Sequence, residues 1–271
     1  MIRVRGVEVW YDALRVLRGI SAEFEGGCFT GVLGPNGAGK STLLRAIAAL
    51  VGFRGRVELL GREVREMGRR ELARRLSVVP QEFPHELEFS ALEVVAMGRY
   101  PHQPVLQLRD GEHLRAAGRA LERVGASELA GRRFRCMSSG ERQRVLIARA
   151  LAQEAEAVLL DEPTSNLDLR HSVEVMELLR RLAEEGRCVI ACMHNINLAS
   201  LYCHRLVLMR DGRVAVQGTP EEVVTPEVIR EVYGCDVCVV PHPVLKKPQV
   251  HLIPRATSSV AETFRVSGPD Q

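Results

Sequence analysis

Aromatic residues make up only 4% of this 271-residue chain, and a single tryptophan is among them. No apolar run approaches the roughly eighteen residues that a membrane span requires, so any membrane role has to come through a partner. Residues 1–7 alternate like a strand and lack the apolar stretch of a signal peptide. The seven cysteines (Cys28, Cys136, Cys188, Cys192, Cys203, Cys235 and Cys238) are odd in number and scattered, unlike a secreted disulfide framework. That favours a reducing compartment. Cys235 and Cys238 form a lone C-x-x-C with no second pair to complete a zinc site, and the spacing predicts two residues of a C-terminal strand. Charge of one sign is missing too: the net charge is +3 with the basic residues spread along the chain, which argues against a nucleic-acid partner. Lysine is scarce, with Lys40, Lys246 and Lys247 the only three among 37 basic residues. What remains is an ordinary globular composition, 46% apolar, long enough for one large or two small domains.

The pattern along the chain is α/β. Val7–Val9 and Ile20–Phe24 alternate as half-buried strands do, and Val57–Leu60 and Leu76–Val79 each end at a turn residue. Residues 83–153 turn helical and charged. The apolar strands 157–160 and 188–193, with a helix at 172–185 between them, open a second α/β stretch. Asp211-Gly212 between two apolar runs predicts a two-residue hairpin. From Pro241 onward proline, serine and threonine increase, and 257–271 is expected to be loosely ordered.

Gly34-Pro35-Asn36-Gly37-Ala38-Gly39-Lys40-Ser41-Thr42 lies between a buried strand at 29–33 and an expected helix at 43–50. A strand, a glycine-rich turn and a helix N-terminus together aim backbone N–H groups and a positive dipole end at bound phosphate. The glycines allow close backbone approach, Lys40 reaches the terminal phosphates, and Ser41 offers its hydroxyl to Mg²⁺. This segment predicts nucleoside triphosphate binding. The strand 158–160 then delivers Asp161 and Glu162 to the carboxyl edge of a sheet, where a phosphate loop also lies in a doubly wound fold. Asp161 suits the Mg²⁺ shell and Glu162 suits polarising an attacking water.

Three further segments complete an order of motifs: Gln81 after the strand 76–79, Met137-Ser138-Ser139-Gly140-Glu141 opening a helix before the carboxylate strand, and His194 after the strand 188–193. With Ser165-Asn166-Leu167-Asp168, this order resembles the ATP-binding subunits of ABC transporters over roughly residues 2–240. The resemblance implies an ABC-type P-loop NTPase core with an N-terminal antiparallel β subdomain. A helical subdomain at about 84–153 would be inserted in that core, and 241–271 would form a C-terminal extension.

It implies Mg²⁺-dependent ATP hydrolysis by a homodimer formed with ATP, acting on two copies of a separate membrane permease subunit from the cytoplasmic face. Tyr11, beside Trp10, matches the aromatic that stacks on adenine. Gln81 matches the residue linking Mg²⁺ and water to the permease contact. Ser138, Ser139 and Gly140 match the signature that meets ATP held by the other subunit. Asn166 and Asp168 match the loop crossing the dimer interface, and His194 the switch histidine. Four positions depart from the usual pattern: Met137 for leucine, Ser139 for glycine, Glu141 for glutamine and Asn195 for aspartate.

Residues 96–102, 194–199, 202–205 and 218–226 resemble the branch that imports iron-siderophore, haem and cobalamin chelates, which works with a solute-binding protein. Soluble ABC ATPases acting on DNA or ribosomes carry coiled-coil insertions or paired cassettes, and this sequence has neither. Exporter partners remain an alternative that the 96–102 segment argues against. Phe83, Leu87, Phe89, Tyr100 and Pro101, in the stretch 82–102 directly after Gln81, are expected to line a groove that receives a short permease helix.

Overall fold

A computed structural model describes residues 1–81, 83–84, 88–102, 111–165 and 167–253. The calls on Leu87, Asn166 and the end of the chain from 257 fall outside the described residues.

The chain starts with a long hairpin, β1 (Ile2–Tyr11) and β2 (Leu14–Phe24), both far longer than their alternating centres suggested. β3 (Phe29–Leu33) is buried along its whole length and leads into the glycine loop and α1 (Lys40–Ile47). α1 begins three residues earlier than expected, because Gly39 takes a left-handed φ of +95° and the helix starts on the next residue. It also ends earlier, since Ala49 has φ +52°. β4 (Arg54–Leu59) and β5 (Arg62–Glu63) complete an antiparallel sheet in the order β2-β1-β4-β5. α2 (Arg69–Arg75) then feeds β6 (Leu76–Val79).

The helical insertion contains α3 (Ala91–Ala96), a 3₁₀ turn Met97–His102, α4 (Gly111–Arg123) and α5 (Ser139–Ala152). The chain returns through β7 (Ala157–Asp161), α6 (Leu169–Glu184), β8 (Cys188–Cys192), α7 (Ile196–Tyr202), and the hairpin β9 (Arg205–Arg210) to β10 (Arg213–Gly218). Asp211 and Gly212 both have positive φ (50° and 74°), as a type I′ hairpin turn needs.

The main sheet has the order β10-β9-β3-β8-β7-β6, parallel from β9 to β6, with β10 antiparallel at one edge. Its two faces feed two cores, because a strand alternates sides. Val158, Leu160, Val189 and Ala191 join the core with α5 and α6. Leu159, Ile190, Cys192 and Val207 join the core with α1 and the antiparallel sheet. Burial on both faces is why these strands read as continuous apolar runs.

After two short helices, α8 (Pro220–Val223) and α9 (Pro226–Tyr233), the chain forms the hairpin β11 (Val237–Pro241) to β12 (Pro248–Leu252). This hairpin straddles the boundary expected at residue 240. It is tied to α7: the Asn197 side chain bonds both the N–H and the carbonyl of Val250 (2.7 and 3.0 Å), and Ser200 donates to Pro248 O (2.6 Å). Cys238 lies in β11, whereas Cys235 precedes the strand; both are exposed free thiols.

Candidate active site

The glycine loop is shaped by what flanks it. A Cβ on Gly34 (φ +147°) would lie 2.1 Å from the Met209 carbonyl oxygen of β9, and one on Gly39 would lie 2.7 Å from Leu17 of β2. Pro35, Asn36, Gly37 and Ala38 bridge these contacts, with Ala38 N donating to Pro35 O at 3.2 Å. Thr42 is buried in the first turn of α1. Lys40 is buried, and its ammonium donates to Gly34 O (2.8 Å) and Pro35 O (3.1 Å). Burial lowers its pKa from the ordinary lysine value. A desolvated ammonium held by neutral carbonyls can transfer to phosphate oxygens with a gain in charge complementarity.

Ser41 Oγ donates to Asp161 Oδ1 at 2.9 Å, joining the loop to the end of β7 across the intervening strand β8. Burial raises the Asp161 carboxyl above its ordinary value, opposed by the Ser41 hydrogen bond. Cys192 stands opposite Asp161 in the β7–β8 register and is fully buried, with its thiol pushed well up by that burial. Nothing in the sequence pattern singled out Cys192 as a neighbour of the carboxylate.

Glu162 follows with φ +52°, a conformation that costs a non-glycine residue about 1–2 kcal/mol. Its N–H donates to Cys192 O at 3.1 Å. Its two carboxylate oxygens are held separately: Gln81 Nε2 donates to Oε2 at 2.8 Å, and His194 Nε2 lies 2.5 Å from Oε1. Gln81, Glu162 and His194 follow the carboxyl ends of β6, β7 and β8, three adjacent parallel strands. This is the crevice in which open α/β sheets bind ligands.

A second cluster gathers Ser138, Ser139, Gly140 and Asp168. Ser138 caps α5 in a capping box with Glu141: Ser138 N donates to Glu141 Oε2 (2.8 Å), and Glu141 N donates to Ser138 Oγ (3.3 Å). Ser139 is exposed in the first helical turn. Asp168 caps α6, accepting the His171 N–H at 2.9 Å. Glutamate at 141 therefore serves as the box acceptor, and Asn195 likewise caps α7 by accepting the Leu198 N–H (2.9 Å). Both departures keep the local bond.

Tyr11 stands at the end of β1 with 40% of its surface exposed. Its neighbour Trp10 is engaged elsewhere, clasped by the guanidinium groups of Arg15 and Arg54 (5.4 and 4.9 Å from the ring centroid). Phe83 is half-buried. Its ring meets Phe134 edge-on at 5.7 Å and carries Arg149 at 4.5 Å, so it packs within the insertion. Phe89 and Tyr100 are exposed, and the Pro101 carbonyl accepts bonds from Arg70 and Arg74. Residues 97–102 hold the end of α5: a Cβ on Gly98 would meet Arg149 O at 2.1 Å, and buried Arg99 donates to Ala152 O at 2.8 Å.

Residues 17–165, containing the glycine loop, the Ser138–Gly140 cap and the carboxylate strand, match the family model described as ABC transporter. The chain belongs to the ABC transporter family. It is 37% identical over 265 residues to the ferric enterobactin transport ATP-binding protein FepC of Escherichia coli, covering 96% of this chain and 98% of that protein. It is 43% identical over 249 residues to the hemin import ATP-binding protein HmuV of Pseudomonas putida, covering 90% and 96%. A third relative, the cobalamin import ATP-binding protein BtuD of Halobacterium salinarum, is 40% identical over 262 residues; the match covers 96% of this chain but 65% of that longer protein.

Among solved structures, a metal-chelate type ABC transporter in an inward-facing conformation superposes with a TM-score of 0.83 at 26% identity, covering 94% of this chain and 98% of that one. A dimeric bacterial ABC transporter cassette gives a TM-score of 0.71 at 28% identity, covering 81% and 98%. ABC cassettes thus share the antiparallel sheet, parallel core and helical insertion described above.

Proposed function

We propose that this chain is the Mg²⁺-dependent ATP-hydrolysing subunit of an importer, acting on a separate membrane permease at its cytoplasmic face. The cargo class is an iron-siderophore, haem or cobalamin-type chelate, in keeping with the printed names of the relatives. The observation that carries the ATPase reading is Glu162, with one carboxylate oxygen oriented by Gln81 and the other by His194. So held, Glu162 can take up proton density from a water aimed at the terminal phosphate, while Lys40 meets the phosphate charge. None of the described helices is long and apolar enough to cross a membrane.

Ser41, Asp161 and Gln81 fit Mg²⁺ by the chemistry of their donors. All are oxygen ligands and only one is a carboxylate, which suits an ion that keeps waters and shares the substrate's phosphates. Bound Mg²⁺ supplies neutralisation of phosphate charge.

ATP would be shared between two copies, Lys40 and its loop on one side and Ser138, Ser139, Gly140 and Asp168 of the second copy on the other. Phe89 and Tyr100 remain as exposed aromatic surface for a permease helix.

The test is the reconstituted complex of chain, permease and solute-binding protein. ATP turnover should rise with a chelate-loaded binding protein and vanish in Glu162→Gln, which keeps side-chain shape but loses the charge, while ATP affinity is retained. Hydrolysis by Glu162→Gln near the parent rate would remove Glu162 from its role. Stimulation only by a cargo of another class would overturn the importer branch.

A further inference from the structure

Gly140, on the first turn of α5, lies close against His171: a Cβ there would meet Cγ at 3.3 Å and Nδ1 at 3.4 Å. His171 is on the first turn of α6, and its backbone N–H and ring Nδ1 both reach Asp168 Oδ1, at 2.9 and 2.8 Å. The Asp168 carboxyl is held below its ordinary range, first by that backbone N–H. An ionised carboxylate only accepts, so Nδ1 carries the proton and donates it. One imidazole therefore touches both the helix start that carries Ser138, Ser139 and Gly140 and the loop that ends at Asp168.

Each of the two helix starts is held by its own cap. The α5 start is fixed by the Ser138–Glu141 box, and Arg132 donates to both Glu141 (2.8 Å) and Cys136 O (2.8 Å). The α6 start is fixed by the Asp168 cap. The ring borders a cavity of about 600 Å³, lined by His171, Arg144, Val175 and Leu178 among others. The imidazole is thus a contact between the starts of α5 and α6 at the edge of that cavity.

We propose that His171 is a positioning residue that locks the Ser138–Gly140 segment to the Asp168 loop, so that both meet the second copy's nucleotide as one rigid edge. The inference rests on the shared-site reading above. His171 itself does not touch the nucleotide; it acts through Gly140 and Asp168.

The experiment uses the full chain carrying Glu162→Gln, so that ATP is bound and not consumed, and measures ATP-dependent dimerisation by analytical ultracentrifugation. Adding His171→Ala should raise the dimer dissociation constant about tenfold, the loss expected for one hydrogen bond to a charged group. His171→Asn keeps a donor for Asp168, and His171→Phe keeps a ring against Gly140; each should recover part of the loss. ATP affinity of the dilute monomer should stay within about twofold of the parent, because Lys40 and its loop are untouched. Parent-like dimerisation of the His171→Ala protein overturns the proposal and leaves the shared site intact. A fall in monomer ATP affinity or melting temperature that matches the dimerisation loss also overturns it, as a folding effect. If Glu162→Gln alone fails to dimerise with ATP, the shared-site reading fails and takes the proposal with it.

Discussion

Alanine at position 34 would place a methyl carbon 2.1 Å from the Met209 carbonyl oxygen, where ordinary contacts begin about 1 Å farther out. The neighbour is backbone in β9, hydrogen-bonded to β3 and β10, so it cannot rotate away as a side chain could. Either the phosphate loop lifts or β9 shifts. Forcing an extra methyl into a packed site costs about 1–3 kcal/mol. Holding a non-glycine residue in a glycine-only backbone region, here φ +147°, costs about a further 1–3 kcal/mol.

The sum, about 2–6 kcal/mol, corresponds to a fall in melting temperature on the order of 5–20 °C for a domain of this size. Gly37→Ala is the control, since Gly37 (φ +79°) has nothing within 4 Å of the added carbon. It bears only the backbone cost, about 1–2 kcal/mol. Thermal melts with and without ATP read both variants. Gly34→Ala should melt well below Gly37→Ala and gain less from ATP, because a displaced loop presents its N–H groups poorly. Equal melting temperatures for the two variants would refute the reasoning.

Arg99→Met should lower stability by about 1–3 kcal/mol, because Arg99 is buried and bonds both Ala152 O and Glu154 (2.8 and 2.7 Å) while Glu154 stays half exposed. Burial opposes ionisation of Glu154, but the hydrogen bond and charge of Arg99, with the nearby His102 and Arg119, outweigh it, so its carboxyl titrates below the ordinary value. A depressed carboxyl stabilises above its unfolded pKa, and that stabilisation is lost as pH falls through the folded value. Melts across the acid range should show this loss in the parent and not in Arg99→Met. Glu141→Ala should cost about 1 kcal/mol by opening the α5 capping box, whereas Glu141→Gln should be near neutral, since an amide oxygen still accepts the Ser138 N–H. Chemical denaturation of both variants against the parent checks that difference.

Several parts of this protein were legible from local sequence. The glycine loop, the apolar strands at 157–160 and 188–193 and the Asp211-Gly212 turn each depend on residues a few positions apart, and the structure keeps them. A capping role for Ser138 and Asp168, whose side chains bond backbone three residues on, was not read from the sequence. The boundaries of α1 were not legible, because the left-handed conformation of Ala49 leaves no compositional trace. Nor was the place of Phe83, which read as surface and is half-buried because Phe134, 51 positions later, packs against its ring.

The carboxylate clasp lies further still from what local pattern can reach. Gln81, Glu162 and His194 are separated by 81 and 32 positions, and they meet because β6, β7 and β8 lie side by side and parallel. His171 and Gly140 come from different helices, and only their packing brings the ring onto the glycine. Sequence periodicity reports which face of an element is apolar, and motif spacing reports what one turn can hold. Strand order and helix packing decide which distant ends share a crevice, because burying both faces of the sheet together is what brings them there.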